Sequence, residues 1–199
     1  ENLYKGTFLL EGYPRNSVFF TDSGEKIRAD LGAEDKQIIV YMPTWRGTLR
    51  NRELEKQQQE LSMFFEKLDS MLTDKQLFYI KLHPLMRSEG GFTSYKHIKD
   101  FPTEYECYDI LNAANILITD YSSVFYDFAC TGKKIILYTY DEKEYMSDRG
   151  MYTKLSDLPF PNIKTADELI EQINSPKNYD DTEFVKTYCP YECADAAAR

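Results

Sequence analysis

Two adjacent serines, Ser122 and Ser123, stand between a short apolar run and a stretch with helical spacing. From Val124 onward apolar residues recur at helical intervals, so the pattern predicts a strand, a tight turn and a helix. Thr119 and Asp120 belong to the same turn. Because a helix N-terminus carries unpaired N–H groups and a partial positive charge, the two serines there could bind an anion, most naturally phosphate. The alternative is that a serine only caps a buried helix.

Other candidate ligands follow other predicted strands. The apolar run 37–42 is followed by Thr44 and Arg46, and the run 76–82 is followed by His83. Parallel strands end at one edge of a sheet, and open α/β sheets bind their ligands there. We therefore expect Thr44, Arg46 and His83 to join the serines. For His83 the alternative is a purely structural imidazole.

The roles of two charged residues are open on the sequence alone. Arg15 lies in a turn-forming cluster and is either a solvated loop residue or a bidentate clamp for phosphate. Asp120 would repel phosphate, so it would orient a backbone turn or a ribose hydroxyl. The other histidine, His97, lies in a polar stretch and is expected at the surface.

Apolar runs alternate with helical patterns along the chain, which predicts an α/β fold with a parallel sheet and helices on both faces. We expect one Rossmann-like domain over residues 1–199, with residues 183–199 as a C-terminal tail. Apolar residues at helical spacing predict an amphipathic helix that begins at Leu61. The polar stretch 48–60 before it is either a mobile flap or a solvated insertion. Thr165 and Glu168 have the spacing of a capping box.

Composition excludes several classes of protein. The 199 residues are 42% hydrophobic, which excludes disorder, and no apolar run approaches the length of a membrane span. A net charge of -9 argues against nucleic-acid partners. Four cysteines without a CxxC pair indicate free thiols in a reducing, cytoplasmic setting. Neither the dinucleotide-binding motif GxGxxG nor the P-loop motif of ATPases occurs in the sequence. No Asp-rich metal cluster is evident. We therefore expect no metal and no cofactor.

Several motifs together are similar to one known family. They are Gly-Tyr-Pro-Arg-Asn at 12–16, Pro-Thr-Trp-Arg at 43–46, Lys-Leu-His-Pro at 81–84 and Ile-Thr-Asp-Tyr-Ser-Ser-Val at 118–124, with Tyr108, Asp109, Asp127, Arg149 and Gly150. In order and spacing they resemble the CDP-glycerol glycerophosphotransferases, the teichoic acid primases and polymerases. The resemblance implies the C-terminal, nucleotide-binding half of a two-domain GT-B fold, with an N-terminal acceptor domain expected outside this chain.

The resemblance also implies a reaction and its partners. The expected reaction moves a polyol phosphate, most simply glycerol phosphate, from a CDP-polyol to a hydroxyl of a lipid-linked polymer at the inner face of the cell membrane. His83 would contact the donor pyrophosphate as the catalytic residue, and Ser122 and Ser123 would hold its oxygens. Thr44 and Arg46 would line the site. Ser17 stands where relatives often carry Asp, which leaves the role of that loop open.

Two other functions fit the same residues. A sialyltransferase-like half of a GT-B enzyme also uses a His-Pro pair and a serine pair to bind a CMP leaving group. A nucleotide-binding module without turnover would need the same cleft and no acceptor. Binding of a CMP-sugar in place of a CDP-polyol would favour the first alternative over the expected function. Binding of the nucleotide without any transfer would favour the second.

Overall fold

A computed structural model describes residue 6 and residues 10–44, 51–82, 92–151, 153–196 and 198, with the backbone alone at 51–58 and 60. The strands are β1 (Gln37–Met42), β2 (Gln76–Ile80), β3 (Ile98–Asp100), β4 (Ile116–Thr119), β5 (Lys134–Tyr138) and β6 (Asn162–Ile163). The α-helices are α1 (Ser23–Asp30), α2 (Asn51–Met71), α3 (Cys107–Ala113), α4 (Val124–Ala129), α5 (Glu142–Asp148), α6 (Ala166–Asn174) and α7 (Thr182–Tyr188). Short 3-10 helices cover Pro14–Phe20 and Leu155–Asp157.

The strands form one parallel sheet in the order β3-β2-β1-β4-β5-β6. The sheet therefore grows outward in both directions from the central pair β1 and β4. In that pair Met42 is the register partner of Thr119, so the two strands end side by side. The predicted Rossmann-like parallel sheet is confirmed.

Alternate residues of the central strands enter two separate hydrophobic layers. On one face Val40 and Leu117 pack with side chains of α1, α3, α4 and α7. On the other face Ile39 and Ile118 pack with side chains of α2 and α6. Because both faces are covered, these strands are apolar at nearly every position, and this is why continuous apolar runs could be recognised as strands.

The helix predicted to begin at Leu61 in fact begins ten residues earlier, at Asn51. The flap or insertion expected at 48–60 is therefore wrong for residues 51–60, and residues 48–50 lie outside the described part. Glu, Lys, Gln and Leu dominate this stretch, and all four are strong helix formers. A polar run in a sequence can therefore form a helix as well as a loop.

Residues near the end of the chain also differ from the expectation of a tail. Helix α7 places Phe184 in the core, with its ring 5.0 Å from that of Phe160. The part of the expected tail that lies beyond helix α7 therefore begins after Tyr188. The predicted capping box is present, since Thr165 accepts from the N–H of Glu168 and the Glu168 carboxylate accepts from the N–H of Thr165. No helix in the described part has both the length and the apolar composition needed to cross a membrane.

Asp69, in the last turn of α2, fixes the start of β3. Its carboxylate accepts hydrogen bonds from the N–H groups of Lys96, His97 and Ile98 at 3.0, 2.7 and 3.1 Å. The His97 ring lies between the Asp69 carbonyl and the Asp74 carboxylate, and its side chain is only 10% exposed. The expectation of a surface His97 was wrong. Burial opposes the charge of Asp69, but the three N–H donors outweigh it and lower the pKa of Asp69.

We predict that Asp69→Asn makes the protein less stable at neutral pH. A carboxylate with a depressed pKa stabilises the fold above its unfolded pKa of about 4, and this stabilisation is lost as the pH falls through the folded pKa. Urea unfolding should show a loss of about 1–2 kcal/mol at pH 7 that shrinks below pH 4. The exposed Asp35→Asn is the control. A loss that is independent of pH would contradict the role given to the charge.

Candidate functional site

The ends of β1 and β4 are joined by the buried carboxylate of Asp120. It accepts hydrogen bonds from the Thr44 N–H at 2.9 and 3.0 Å and from the Thr44 hydroxyl at 2.6 Å. It also accepts from the N–H of Tyr121 at 2.6 Å. Beside it, the Thr119 hydroxyl donates to the Met42 carbonyl at 2.6 Å. Side-chain contacts thus continue the pairing of the two strands beyond the last backbone bonds.

Thr119 and Asp120 were both expected to bind substrate, and this stays a prediction. In the structure the Thr119 residue is 0% exposed and the Asp120 residue is 1% exposed. Of the two roles open to Asp120, orienting a backbone turn matches the observed contacts. Both residues lie beneath the site and support it.

A cleft of about 590 Å³ opens at the carboxyl edge of β1 and β4. Three of the predicted ligands, Thr44, Ser122 and Ser123, line it together. The rest of the wall is largely apolar and aromatic; it includes Pro43, Tyr121, Phe125, Tyr126, Tyr145 and Met151. Hydroxyls contributed by two strand ends therefore meet in one opening, as the topology predicts.

The start of α4 decides between capping and ligand binding for the serines. Ser123 occupies the N-cap position, but its side chain makes no capping hydrogen bond. The Ser122 hydroxyl accepts from the N–H of Val124 at 3.4 Å, which is long for such a bond. Capping is a weak function of this pair, and both residues line the cleft.

Arg15 lies against Asp127 of α4 and is not among the residues that line the cleft. Its Nε and Nη2 donate to the two Asp127 oxygens at 3.2 and 2.9 Å. Asn16 Nδ2 and the Tyr108 hydroxyl donate to the same carboxylate at 3.2 and 2.6 Å. Arg15 thus forms an ion pair with Asp127, and its expected contact with substrate stays a prediction.

The charges of this cluster reinforce one another. The hydrogen bond to Asp127 raises the pKa of the Arg15 guanidinium. Burial raises the pKa of Tyr108, and its hydrogen bond to Asp127 raises it further, so the hydroxyl stays protonated and donates. Asp127 itself is 6% exposed. The two oxygens of this buried carboxylate accept hydrogen bonds from four donors, and these bonds hold it in one position in the fold.

Two of the predicted site residues, Arg46 and His83, lie outside the described residues. The chain that leads to His83 is well defined up to Leu82, which is buried. One residue earlier, the N–H of Lys81 donates to the Tyr41 carbonyl at 2.9 Å and extends the pairing of β1 with β2.

The aromatic side chains of the cleft were not predicted from the sequence. The rings of Tyr121 and Tyr145 stack with centroids 3.8 Å apart and planes 14° from parallel. The Tyr121 hydroxyl donates to Asp141 at 3.1 Å, and the hydroxyls of Tyr126 and Thr153 lie 3.0 Å apart. A tyrosine is typical of both cores and sites, so its residue type alone carries no signal of a cleft.

No group of three His, Cys, Asp or Glu side chains suited to a metal ion occurs among the residues that the structure describes. The arrangement in the described cleft consists of hydroxyl donors on one side and apolar rings on the other. It can bind a ligand that has both an anionic or hydroxyl-rich part and an apolar or planar part.

Comparison with known proteins gives the family. Residues 2–199 match the model of the CDP-glycerol:poly(glycerophosphate) glycerophosphotransferases. The chain belongs to this family. It is 33% identical to the teichoic acid poly(glycerol phosphate) polymerase of Bacillus spizizenii, over 98% of the chain and 52% of that protein. It is also 33% identical to the teichoic acid glycerol-phosphate primase of Bacillus subtilis, over 89% of the chain and 47% of that protein.

Solved structures agree with the assignment to this glycerophosphotransferase family. A variant of the wall teichoic acid polymerase TagF superposes with a TM-score of 0.77 at 26% identity, covering 96% of the chain and 50% of TagF. Unmodified TagF gives a TM-score of 0.74 at 25% identity with the same coverage. The chain therefore spans about half the length of the relatives and structures that it matches.

We predict that Asp120→Asn loosens the end of β1. The amide keeps one oxygen acceptor but loses the charge that strengthens three hydrogen bonds, at a cost of about 1–3 kcal/mol. The Thr44 amide should then exchange its hydrogen at least about tenfold faster, measured by NMR in deuterated buffer. In the Asp35→Asn control the rate should not change. Unchanged protection of Thr44 in Asp120→Asn would contradict the role of Asp120.

Proposed function

We propose that this chain binds the CDP-polyol donor of a glycerophosphotransferase. The reaction would transfer a polyol phosphate, most simply glycerol phosphate, to a hydroxyl of a lipid-linked teichoic-acid-type polymer. In the full-length protein the acceptor would be bound with the help of the other half that the relatives carry. Because the acceptor is linked to lipid, the enzyme would work as a peripheral protein at the inner face of the cell membrane.

One observation carries the proposal: Thr44, Ser122 and Ser123 meet in a single cleft at the carboxyl edge of the central strands. A donor of this kind has a pyrophosphate, whose oxygens accept hydrogen bonds, and a pyrimidine ring, which packs on apolar and aromatic surface. The cleft offers hydroxyl donors beside apolar and aromatic side chains such as Tyr126 and Met151. Membership of the glycerophosphotransferase family supports the choice of CDP-glycerol over other nucleotides.

The chemistry would be an in-line displacement at the β-phosphorus. The oxygen of the acceptor hydroxyl would form a bond to this phosphorus and release its proton to solvent, while the bond to the bridging oxygen breaks and CMP leaves with its electron pair. Negative charge grows on the leaving group and on the phosphoryl oxygens during this step. Positioned hydrogen-bond donors and fixed positive charges are most effective where such charge develops.

The roles follow from this charge distribution. Ser122 and Ser123 would donate to the pyrophosphate oxygens, and Thr44 would line the same subsite. His83 as an imidazolium and Arg46 as a guanidinium would neutralise the developing charge. Thr119 and Asp120 would hold Thr44 and the serine turn in place, since Asp120 bonds both Thr44 and Tyr121.

We predict that the chain binds CDP-glycerol and that Ser123→Ala weakens this binding. The loss of one hydrogen bond to a charged group should cost about 1–2 kcal/mol, which is about 5- to 30-fold in the dissociation constant. Isothermal calorimetry measures the change, with the exposed Ser62→Ala on α2 as the matched control. Equal affinity of wild type and Ser123→Ala would show that Ser123 does not contact the donor. Binding of CMP-sugars in place of both CDP-glycerol and CDP-ribitol would overturn the proposed substrate class.

We predict that His83→Ala abolishes transfer in a protein that joins this chain to the half its relatives carry. Incorporation of labelled glycerol phosphate into the polymer measures transfer, and thermal unfolding reports the fold. His97→Ala is the matched control, because His97 lies between Asp69 and Asp74 and supports β3. His97→Ala should lower the Tm but leave turnover per folded molecule unchanged. The same pattern in His83→Ala, a lower Tm with normal turnover per folded molecule, would contradict the catalytic role.

A further inference from the structure

We propose that Arg15 is a positioning residue whose effect on donor binding passes through Asp127. Its guanidinium would hold α4 so that Ser122 and Ser123 face the cleft. This inference rests on the proposed function, because donor binding is the property that Arg15 would control. It replaces the simpler idea that an arginine close to a phosphate site contacts phosphate directly.

The donor geometry of Arg15 supports a positioning role. One of the two edges of the guanidinium that suit a bidentate phosphate contact is already occupied, since Nε and Nη2 both bind Asp127. The planar group also lies over the Tyr13 ring, with its central carbon 4.4 Å from the ring centroid. Although the Arg15 side chain is 48% exposed, contacts at its edge and its face fix its orientation.

Asp127 is the point where three segments of the chain meet. It lies on α4, while its donors come from the 3-10 helix Pro14–Phe20 and, through Tyr108, from α3. Arg15 is 112 positions away from Asp127 in sequence. This carboxylate therefore sets the position of α4 relative to two elements that do not touch the donor subsite.

Most of the other contacts of helix α4 are apolar. It is six residues long, so its own backbone bonds are few. Five of its six residues are buried, among them Phe125 and Phe128, but apolar packing has little directionality. The bidentate pair of Arg15 with Asp127 adds a directional constraint one turn after Ser123.

The serine turn is thus held at both ends by buried carboxylates. Asp120 fixes the side nearest the sheet through Thr44 and Tyr121. Asp127 fixes the helical side through Arg15, Asn16 and Tyr108. Removal of either anchor should let the two serine hydroxyls move relative to Thr44, even though neither anchor touches the ligand.

A double-mutant cycle on donor affinity tests the proposal. By calorimetry, Arg15→Ala should weaken CDP-glycerol binding about tenfold in the wild-type background and less than about twofold in the Asp127→Ala background. Arg15→Lys should not restore affinity, because a lysine cannot form the fork to Asp127. Tyr108→Phe, which removes one hydroxyl from the same carboxylate and is a milder change, should weaken binding in the same direction.

Arg28→Lys is the matched control. Arg28 also uses its guanidinium to hold oxygens, four in number, among them the Ala113 carbonyl and Asn115 Oδ1, but Asn115 precedes β4 and so lies at the opposite edge of the sheet. This variant should lower stability without changing the affinity of the folded protein for CDP-glycerol. A purely structural Arg15 would behave in the same way, and that result would overturn the proposal.

Four further outcomes would also overturn it. Additive losses from Arg15→Ala and Asp127→Ala, or near-normal affinity in Arg15→Lys, would indicate that Arg15 contacts phosphate itself. Hydrogen exchange without ligand gives a readout that does not depend on the donor: Arg15→Lys should speed exchange in α4, and unchanged exchange would refute the anchoring step. Failure of the wild-type chain to bind CDP-glycerol would refute the proposed function and the inference together.

Discussion

The buried carboxylate of Asp120 is the contact on which the geometry of the cleft depends. Backbone pairing holds β1 and β4 together only as far as Met42 and Thr119. Beyond that point Asp120 binds both the Thr44 N–H and its hydroxyl from the neighbouring strand end. The Asp120 side chain therefore ties the hydroxyl of one strand end to the serine turn that follows the other. A carboxylate suits this place because it accepts several hydrogen bonds at once.

The proposed donor is anionic, whereas this chain is acidic. Its net charge is -9, so long-range attraction of a nucleotide diphosphate is weak or absent. Near the cleft Arg15 is neutralised by Asp127, and the polar groups that the described cleft offers are mainly hydroxyls. Affinity for the proposed donor would then come from short-range, directional hydrogen bonds. Such a site discriminates by shape and by the positions of acceptor atoms more than by total charge.

The sequence predicts the parts of this protein whose cause is local or follows from layer packing. Strands β1 and β4 are apolar runs because helices cover both faces, and the rule that parallel strands end at one edge brings Thr44 to Ser122. The contacts of Arg15 could not be predicted, because Asp127 is 112 positions away and an arginine in a loop suits solvent, phosphate and carboxylate equally. Strand β3 has only three residues, too few for a periodic pattern. The polar start of α2 shows that a polar run in the sequence does not distinguish a helix from a loop.

The position of β1 and β4 at the centre of the sheet has a consequence for folding. Strands β1, β2 and β3 form one set of neighbours and β4, β5 and β6 form the other, and among these strands the pairing of β1 with β4 joins the two sets. Thr44 belongs to the first set, whereas Ser122 and Ser123 belong to the second. The cleft therefore comes into existence only at the step that docks the two sets, so a partly folded chain that has completed only one of them has no ligand site.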